Sequence, residues 1–406
     1  MDRKIKVLVI DDSALMRKLL SEILSSDPDI DVVGTAPDAY VAREKIKSLN
    51  PDVLTLDVEM PRMDGLSFLR NLMRLRPMPV VMCSTLTQAG AETALDALAL
   101  GAVDVVGKPT ADAVHGLKHS AQEIIAKVKM AASVKVRAST ERASAERTSA
   151  ERSSAERTSA ERTPPQRTPQ VVEASRDAGA VLAKRPMAKV SSSTDHIIAI
   201  GASTGGTEAI KELLTQLSPD IPGIVIAQHI PKAFSGPFSA RMNACSALTV
   251  CEARDGDTIL AGHVYIAPGD EHLVVERAGR GFRCRLDPGP LVNRHRPAVD
   301  VLFRSVAQTA GHHAVGVLLT GMGRDGAEGL KEMLEAGAAT IAQDEQSSVV
   351  WGMPGAAWKI GAAQALHPLS EIAGQIMSLC KRTNVKDPKA QETGLIADKS
   401  EVNGAQ

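Results

Sequence analysis

Aromatic residues are scarce: five Phe, two Trp and two Tyr amount to 2% of the 406 residues. That leaves too few rings for the stacking platforms that hold single nucleic-acid strands or sugars. An excess of one charge is also missing, since 47 Lys plus Arg face 48 Asp plus Glu for a net charge of -1. A surface built to neutralise nucleic-acid phosphates or anionic lipid would be markedly basic, so neither partner is expected. No run of 18 or more apolar residues occurs, and the apolar run Val7 to Ile10 is too short for a signal-peptide core. The five cysteines, at 83, 245, 251, 284 and 380, are odd in number and form no C-x-x-C pair, so a disulfide framework is not expected either. These absences point to a soluble cytoplasmic protein in a reducing compartment, with no membrane insertion.

What is present is enough apolar material, 44% of the residues, to fill more than one core at ~150 residues per domain. The chain reads as a globular domain over residues 1–133, a polar stretch over 134–190, a second globular domain over 191–382 and a charged tail over 383–406. The polar stretch repeats Ser144-Ala145-Glu146-Arg147-Thr148 with near copies and then turns proline-rich, without one aromatic residue. A flexible linker with an end-to-end distance on the order of 40 Å is the expectation.

In the first domain, β-branched runs at Lys6 to Ile10, Val53 to Asp57 and Val80 to Cys83 alternate with helical spacing at Leu15 to Leu24 and Leu66 to Leu75. That alternation predicts a doubly wound α/β domain with its chemistry at the carboxyl ends of the strands. Asp11, Asp12 and Asp57 fall at such ends, and carboxylates gathered there suit an oxygen-liganded Mg²⁺. Ser84 and Lys108 fall at two further strand ends, where a hydroxyl and an ammonium could grip phosphoryl oxygens. Lys108-Pro109 is a candidate cis peptide. The plainer readings are that Asp12 caps the helix starting near Ser13 and that Lys108 is an ordinary loop charge.

The segments Val9 to Ser13, Leu56 to Gly65 and Gly107-Lys108-Pro109 resemble the signature of two-component receiver domains, over residues 5 to about 125. The resemblance implies a flavodoxin-like fold with Asp57 as phosphoacceptor. It further implies Mg²⁺ held with the help of Asp11 and Asp12, and Ser84 and Lys108 on the phosphoryl group.

The second domain repeats the alternation, with strands at Ile197 to Ile200, Gly223 to Ala227, His263 to Ala267 and Ala314 to Leu319. Gly201-Ala202-Ser203-Thr204-Gly205-Gly206 follows the first of these and leads into an amphipathic helix, Glu208 to Leu217. Such a G-x-S-x-G turn exposes a serine beside helix N-terminal N–H groups, yet a glycine-rich turn also serves phosphate binding, so both uses stay open at this point. His229 and Asp325 lie at two other strand ends of the same rim. The three together fit a triad in which Ser203 attacks, His229 carries the proton and Asp325 fixes the imidazole tautomer. Asp325 could instead be a turn or cap residue. His263, His272, His295 and His312-His313 lack ligand spacing, so they read as structural and no metal is expected in this half.

Gly201 to Gly206, Gln228-His229, Tyr265 to Gly269, Val299 to Phe303, Thr320 to Gly326, Gln343-Asp344 and Met353-Pro354-Gly355 resemble the CheB-type chemotaxis protein-glutamate methylesterases. The resemblance implies a parallel α/β sandwich with Ser203, His229 and Asp325 as triad. The Met322 N–H is implied as an oxyanion donor, and we group Thr204, next to the serine, with it. It also implies that the unphosphorylated receiver covers the serine rim. The implied activity is a phosphorylation-activated hydrolysis of glutamate methyl esters on chemoreceptors, with deamidation of receptor glutamine. A chemotaxis histidine kinase would be the phosphodonor, the hydrolase site would need no cofactor, and the protein would be a monomer. The rival expectation is a non-enzymatic output module that binds a phosphate or nucleotide through Gly201 to Gly206. Against it, no Lys follows the glycines as in a P-loop.

Overall fold

A computed structural model describes residues 3–85, 87–109, 114–134, 136, 176–184 and 196–385. Most of the expected linker and the tail from 386 onward lie outside the described residues.

The first unit runs β1 (Ile5–Ile10), α1 (Ala14–Ser25), β2 (Ile30–Ala36), α2 (Ala39–Leu49), β3 (Val53–Asp57), α3 (Gly65–Leu75), β4 (Val80–Ser84), α4 (Gln88–Ala99), β5 (Asp104–Gly107) and α5 (Val114–Ala131). Its five strands pair in the order β2-β1-β3-β4-β5, all parallel. Strands buried on both faces read as continuous apolar runs, which is why Val7 to Ile10 is at most 1% exposed. Strand order reverses at β1, and the register Ile10↔Leu56 sets Asp11 beside Asp57 at the resulting crevice. Ser13, not Asp12, caps α1, its hydroxyl accepting the Met16 N–H.

The second unit runs β6 (Ile197–Ala202), α6 (Gly206–Gln216), β7 (Gly223–Gln228), α7 (Lys232–Cys245), β8 (Thr249–Glu252), β9 (Thr258–Ile259), β10 (His263–Ile266), β11 (His272–Ala278) and β12 (Gly281–Asp287). It continues with α8 (Val299–Thr309), β13 (Ala314–Leu318), α9 (Ala327–Glu335), β14 (Ala339–Gln343), α10 (Met353–Lys359), β15 (Ala365–His367) and α11 (Leu369–Val385). Seven strands form a sheet of order β15-β14-β13-β6-β7-β10-β8, parallel throughout. A separate antiparallel sheet, β11-β12-β9, lies outside the expected all-parallel pattern.

Alternate residues of β6 enter different cores. Ile198 and Ile200 join the apolar cluster of α6, α7 and α11, while Ile197 and Ala199 join that of α8, α9 and α10. Both sheet faces are therefore covered, as parallel sheets require. The first of these clusters runs on into Ala91, Ala94 and Leu95 of α4, so the two units share apolar contacts where α4 meets α7. Polar contacts reinforce that boundary: Thr204 Oγ1 donates to Asp104 Oδ2 at 2.6 Å, and Arg241 Nη1 lies 2.6 Å from Asp96 Oδ1.

Two sequence expectations need correction. Lys108-Pro109 is not cis; among the described residues the cis peptide is Arg296-Pro297. Residues 176–184, inside the stretch expected to be flexible linker, lie against the second unit. There Ala178 is 3% exposed, and the Leu182 carbonyl accepts a hydrogen bond from Arg304 Nη1 at 3.1 Å.

Candidate functional site

The register of the large sheet assembles the serine rim. β6 is central, with Ala202 paired to Gln228 of β7 and Gly201 to Leu318 of β13, so the residues after these three strands converge. Gly205, at φ 75, caps α6 and lets the chain turn sharply after Ser203. Gln228 Nε2 donates to the carbonyls of Ser203 at 2.9 Å and His229 at 3.2 Å, tying the two turns together. His229 Nδ1 lies 3.1 Å from Ser203 Oγ, and its Nε2 lies 2.8 Å from Asp325 Oδ2. An ionised Asp325 only accepts, so Nε2 carries the imidazole proton and Nδ1 is left to accept from the serine hydroxyl.

Asp325 is 2% exposed and collects donors on both oxygens. Oδ2 also accepts the Val299 N–H at 2.7 Å, and Oδ1 accepts from Asn293 Nδ2 at 2.8 Å and the Asp300 N–H at 3.1 Å. Burial opposes its charge, but the His229 hydrogen bond and the neighbouring histidines win and hold the carboxyl below its ordinary range. Asp325 thus accepts from the first N–H groups of α8 without being a cap residue, since the N-cap of α8 is Ala298 and that of the helix after Asp325 is Gly326.

Three residues at this site carried no sequence expectation of a role there. Asn293 and Asp300 contact Asp325 directly, whereas His295, read as structural, stacks on His229 with ring centroids 3.6 Å apart and planes 12° from parallel. All three come from the loop ahead of α8 and its first turn, which has no strand-end periodicity to mark it. His272 does fit a structural role: it is buried, its Nε2 donates to the Pro290 carbonyl at 3.0 Å and its Nδ1 accepts the Ala298 N–H at 3.2 Å. Burial first, then the Arg296 charge, lower its pKa despite the Pro290 bond.

Met322 follows Gly321, whose Cα approaches Ser203 so closely that a Cβ there would fall 2.8 Å from the Ser203 Cβ. The loop is thus laid directly over the serine. Thr204 has its hydroxyl on Asp104 of the first unit.

In the first unit, carboxylate oxygens of Asp11, Asp12 and Asp57 lie within 4.8 Å of one another. Lys108 Nζ reaches Asp57 Oδ2 at 2.7 Å and Asp11 Oδ2 at 3.0 Å. Burial, helped by the charge of Asp11 and opposed by Lys108, raises the Asp57 carboxyl to about 6. Ser84 ends the neighbouring strand, its hydroxyl donating to the Gly90 carbonyl at 2.9 Å rather than to any of these groups. The Oδ2 atoms of Asp11 and Asp57 are the ones that Lys108 holds, and both carboxylates are buried. Three carboxylates with hard oxygen donors gathered this closely fit Mg²⁺.

Residues 7–127 match the response regulator receiver domain family and residues 198–376 match the CheB methylesterase family. The chain is 54% identical over 379 residues to protein-glutamate methylesterase/protein-glutamine glutaminase 1 of Xanthomonas campestris pv. campestris, covering 93% of this chain and 98% of that protein. It is 55% identical to protein-glutamate methylesterase/protein-glutamine glutaminase of Hydrogenovibrio crunogenus, covering 93% of this chain and 100% of that protein. Among solved structures, the Thermotoga maritima CheB methylesterase catalytic domain aligns at TM-score 0.45 and 35% identity, over 46% of this chain and 99% of that one. With both domains matched in sequence order and a relative of this identity covered almost end to end, the chain belongs to the protein-glutamate methylesterase/protein-glutamine glutaminase family.

Proposed function

We propose that the second unit hydrolyses the methyl ester of glutamate side chains on chemoreceptors, deamidates receptor glutamine at the same site, and is switched on by phosphorylation of Asp57 in the first. The observation that carries the reading is the continuous run from Ser203 Oγ through His229 to Asp325, at 3.1 and 2.8 Å. In the proposed reaction Ser203 Oγ attacks the ester carbonyl while its proton passes to His229 Nδ1. Asp325 stabilises the resulting imidazolium, and the Met322 N–H faces the oxyanion. Collapse expels methoxide, which takes the proton from His229 and leaves as methanol; glutamine would release ammonia. Water then attacks the acyl-enzyme and gives a proton to His229; collapse frees glutamate, and the departing Ser203 Oγ takes that proton back from His229.

In the first unit Asp11, Asp12 and Asp57 would hold Mg²⁺, which supplies charge neutralisation during phosphoryl transfer. Lys108 would hold the phosphoryl oxygens, and Ser84 would join it once its hydroxyl swings off Gly90. The phosphodonor would be a histidine kinase of the chemotaxis pathway. Gating is supported by the contact of Thr204 with Asp104, since it places the first unit on the residue next to Ser203. A phosphate-binding module without hydrolysis has less to support it, because the hydroxyl at the glycine-rich turn is directed at an imidazole.

The test is methanol release from methylated receptor by the full chain, with and without acetyl phosphate and Mg²⁺. Ser203→Ala is expected to abolish release while keeping the melting temperature; retained release would reject the serine reading. Asp57→Asn is expected to abolish stimulation by acetyl phosphate.

A further inference from the structure

The loop between β12 and α8 contains a tight turn. Val292 and His295 exchange backbone hydrogen bonds at 3.1 and 2.8 Å, and the two residues between them, Asn293 and Arg294, have φ of 51° and 70°. Left-handed backbone at a pair of non-glycine residues is costly and tends to survive where the surroundings require it. The turn carries two contacts into the serine rim. His295 lies on the His229 ring, and Asn293 Nδ2 donates to Asp325 Oδ1 at 2.8 Å and to Asp300 Oδ2 at 2.7 Å.

Asp300 and Asp325 are 5% and 2% exposed, so two adjacent buried carboxyls would repel unless something held them apart. The Asn293 amide stands between them with a hydrogen atom for each. Asp300 is itself fixed by the Gly329 N–H on Oδ1 at 2.7 Å, which makes it a firm anchor for the amide. Burial, and then the charge of Asp325, push the Asp300 carboxyl to about 7. The bridge is therefore aimed at the oxygen of Asp325 that His229 does not use, and a carboxylate held at both ends has one orientation left for the imidazole.

We propose that Asn293 is a positioning residue for the hydrolysis: its amide ties Asp325 to Asp300 and so fixes the carboxylate that orients His229. The proposal rests on the serine-hydrolase reading above. The competing account is that Asn293 merely suits a left-handed turn.

Asn293→Gly separates the two, because glycine keeps the backbone conformation and the N–H that donates to the Arg176 carbonyl but removes the amide. In full-length protein assayed for methanol release, kcat is expected to fall about 10- to 100-fold, the value of a hydrogen bond to a charged group, with KM within about twofold. Placed on Asp325→Asn, the same change is expected to cost less than about twofold more, since the carboxylate it positions is already gone. Equal losses in both backgrounds, or a loss confined to KM, would overturn the proposal. Should the glycine variant fold poorly, Asn293→Asp keeps size and turn preference but replaces the donor with a third carboxylate. It is expected to lose kcat to at least the same extent, and full activity there would also overturn the proposal. If Ser203→Ala abolishes hydrolysis while Asn293→Gly leaves it intact, only this inference fails; hydrolysis that survives Ser203→Ala removes the serine reading with it.

Discussion

Thr204 donates its hydroxyl to Asp104 across the boundary between the two units, one residue after Ser203. Asp104 is kept in place by Lys127, whose Nζ lies 3.1 Å from its Oδ1. A hydrogen bond to a charged acceptor is worth about 1.5–3 kcal/mol when it breaks, which is a ~10- to 100-fold change in the balance of docked and undocked forms. Asp104→Ala is therefore expected to raise methanol release in the absence of phosphodonor and to shrink the stimulation by acetyl phosphate in proportion. The ion pair of Arg241 with Asp96 is far more exposed, at 27% and 59%, and such pairs contribute at most about 1 kcal/mol. Arg241→Ala should raise basal release less than about fivefold. If the two variants behave alike, the Thr204 contact is not what holds the units together.

Gly321 has no room for a side chain. A Cβ would run into the Met353 sulfur and come within 2.8 Å of the Ser203 Cβ and 3.1 Å of its backbone N. Overpacking of this kind costs about 1–3 kcal/mol, and here the atoms with least freedom to yield belong to the β6 turn. Gly321→Ala is expected to keep a cooperative melt while kcat falls at least tenfold, through displacement of Ser203 from His229. Kinetics and a thermal melt on one preparation decide it: a stable variant with unchanged kcat would show that the loop, rather than the serine, gives way.

Strand ends were legible in the sequence because their apolar runs are buried on both faces. Val7 to Ile10 and Ile197 to Ile200 are all at most 1% exposed, and the residues just beyond them, Asp11 and Ser203, fall at the rims. β2 was not legible: its Ile-Asp-Val-Val-Gly-Thr-Ala is an edge strand, half-buried and broken by polar residues. The β11–β12 hairpin lacks an Asn-Gly or Asp-Gly pair to mark its turn. Asn293, Asp300 and His295 depend on a loop folded back over Asp325, a tertiary relation that periodicity does not encode. Residues 176–184 have only Val181 and Leu182 as apolar side chains larger than alanine, too short a run to mark an element; Ala178 and Val181 pack against the second unit, and Arg304 and Gln308 hold the carbonyls of Leu182 and Ala183.

Asp300 should leave a mark on stability against pH. Its carboxyl moves from an ordinary 3.8 to about 7 on folding, so the folded state binds the proton more tightly than the unfolded chain. That contribution is complete below about pH 4 and is lost as pH rises through about 7. Asp325 shifts the opposite way, and its contribution falls away only at more acid pH. Asp57, raised to about 6, titrates in the same window, so the share of Asp300 is read by difference: Asp300→Asn is expected to flatten, relative to the parent protein, the decline of the urea midpoint between about pH 4 and 7. An unchanged slope would mean that Asp300 is ionised at neutral pH in the folded protein.

Arg304 and Glu332 form a buried pair, 9% and 8% exposed, with Arg304 Nη2 at 2.6 Å and Nε at 2.9 Å from the two carboxylate oxygens. Removing one partner of such a pair strands the other charge and costs about 3–5 kcal/mol. Arg304→Ala is thus expected to lower the urea midpoint steeply, whereas Arg324→Ala, which breaks the exposed pair with Glu328 at 70% and 53% exposure, should cost about 0.5 kcal/mol or less. Arg304 also donates Nη1 to the Leu182 carbonyl, so its loss should loosen residues 176–184 and quicken proteolysis there. Replacing both partners by apolar residues of similar volume removes the stranded charge but not the vacant Leu182 carbonyl. Such a double variant is expected to recover most of the urea midpoint while staying sensitive to protease near 182, and recovery of both would mean that the segment is seated by Ala178 and Val181 rather than by Arg304.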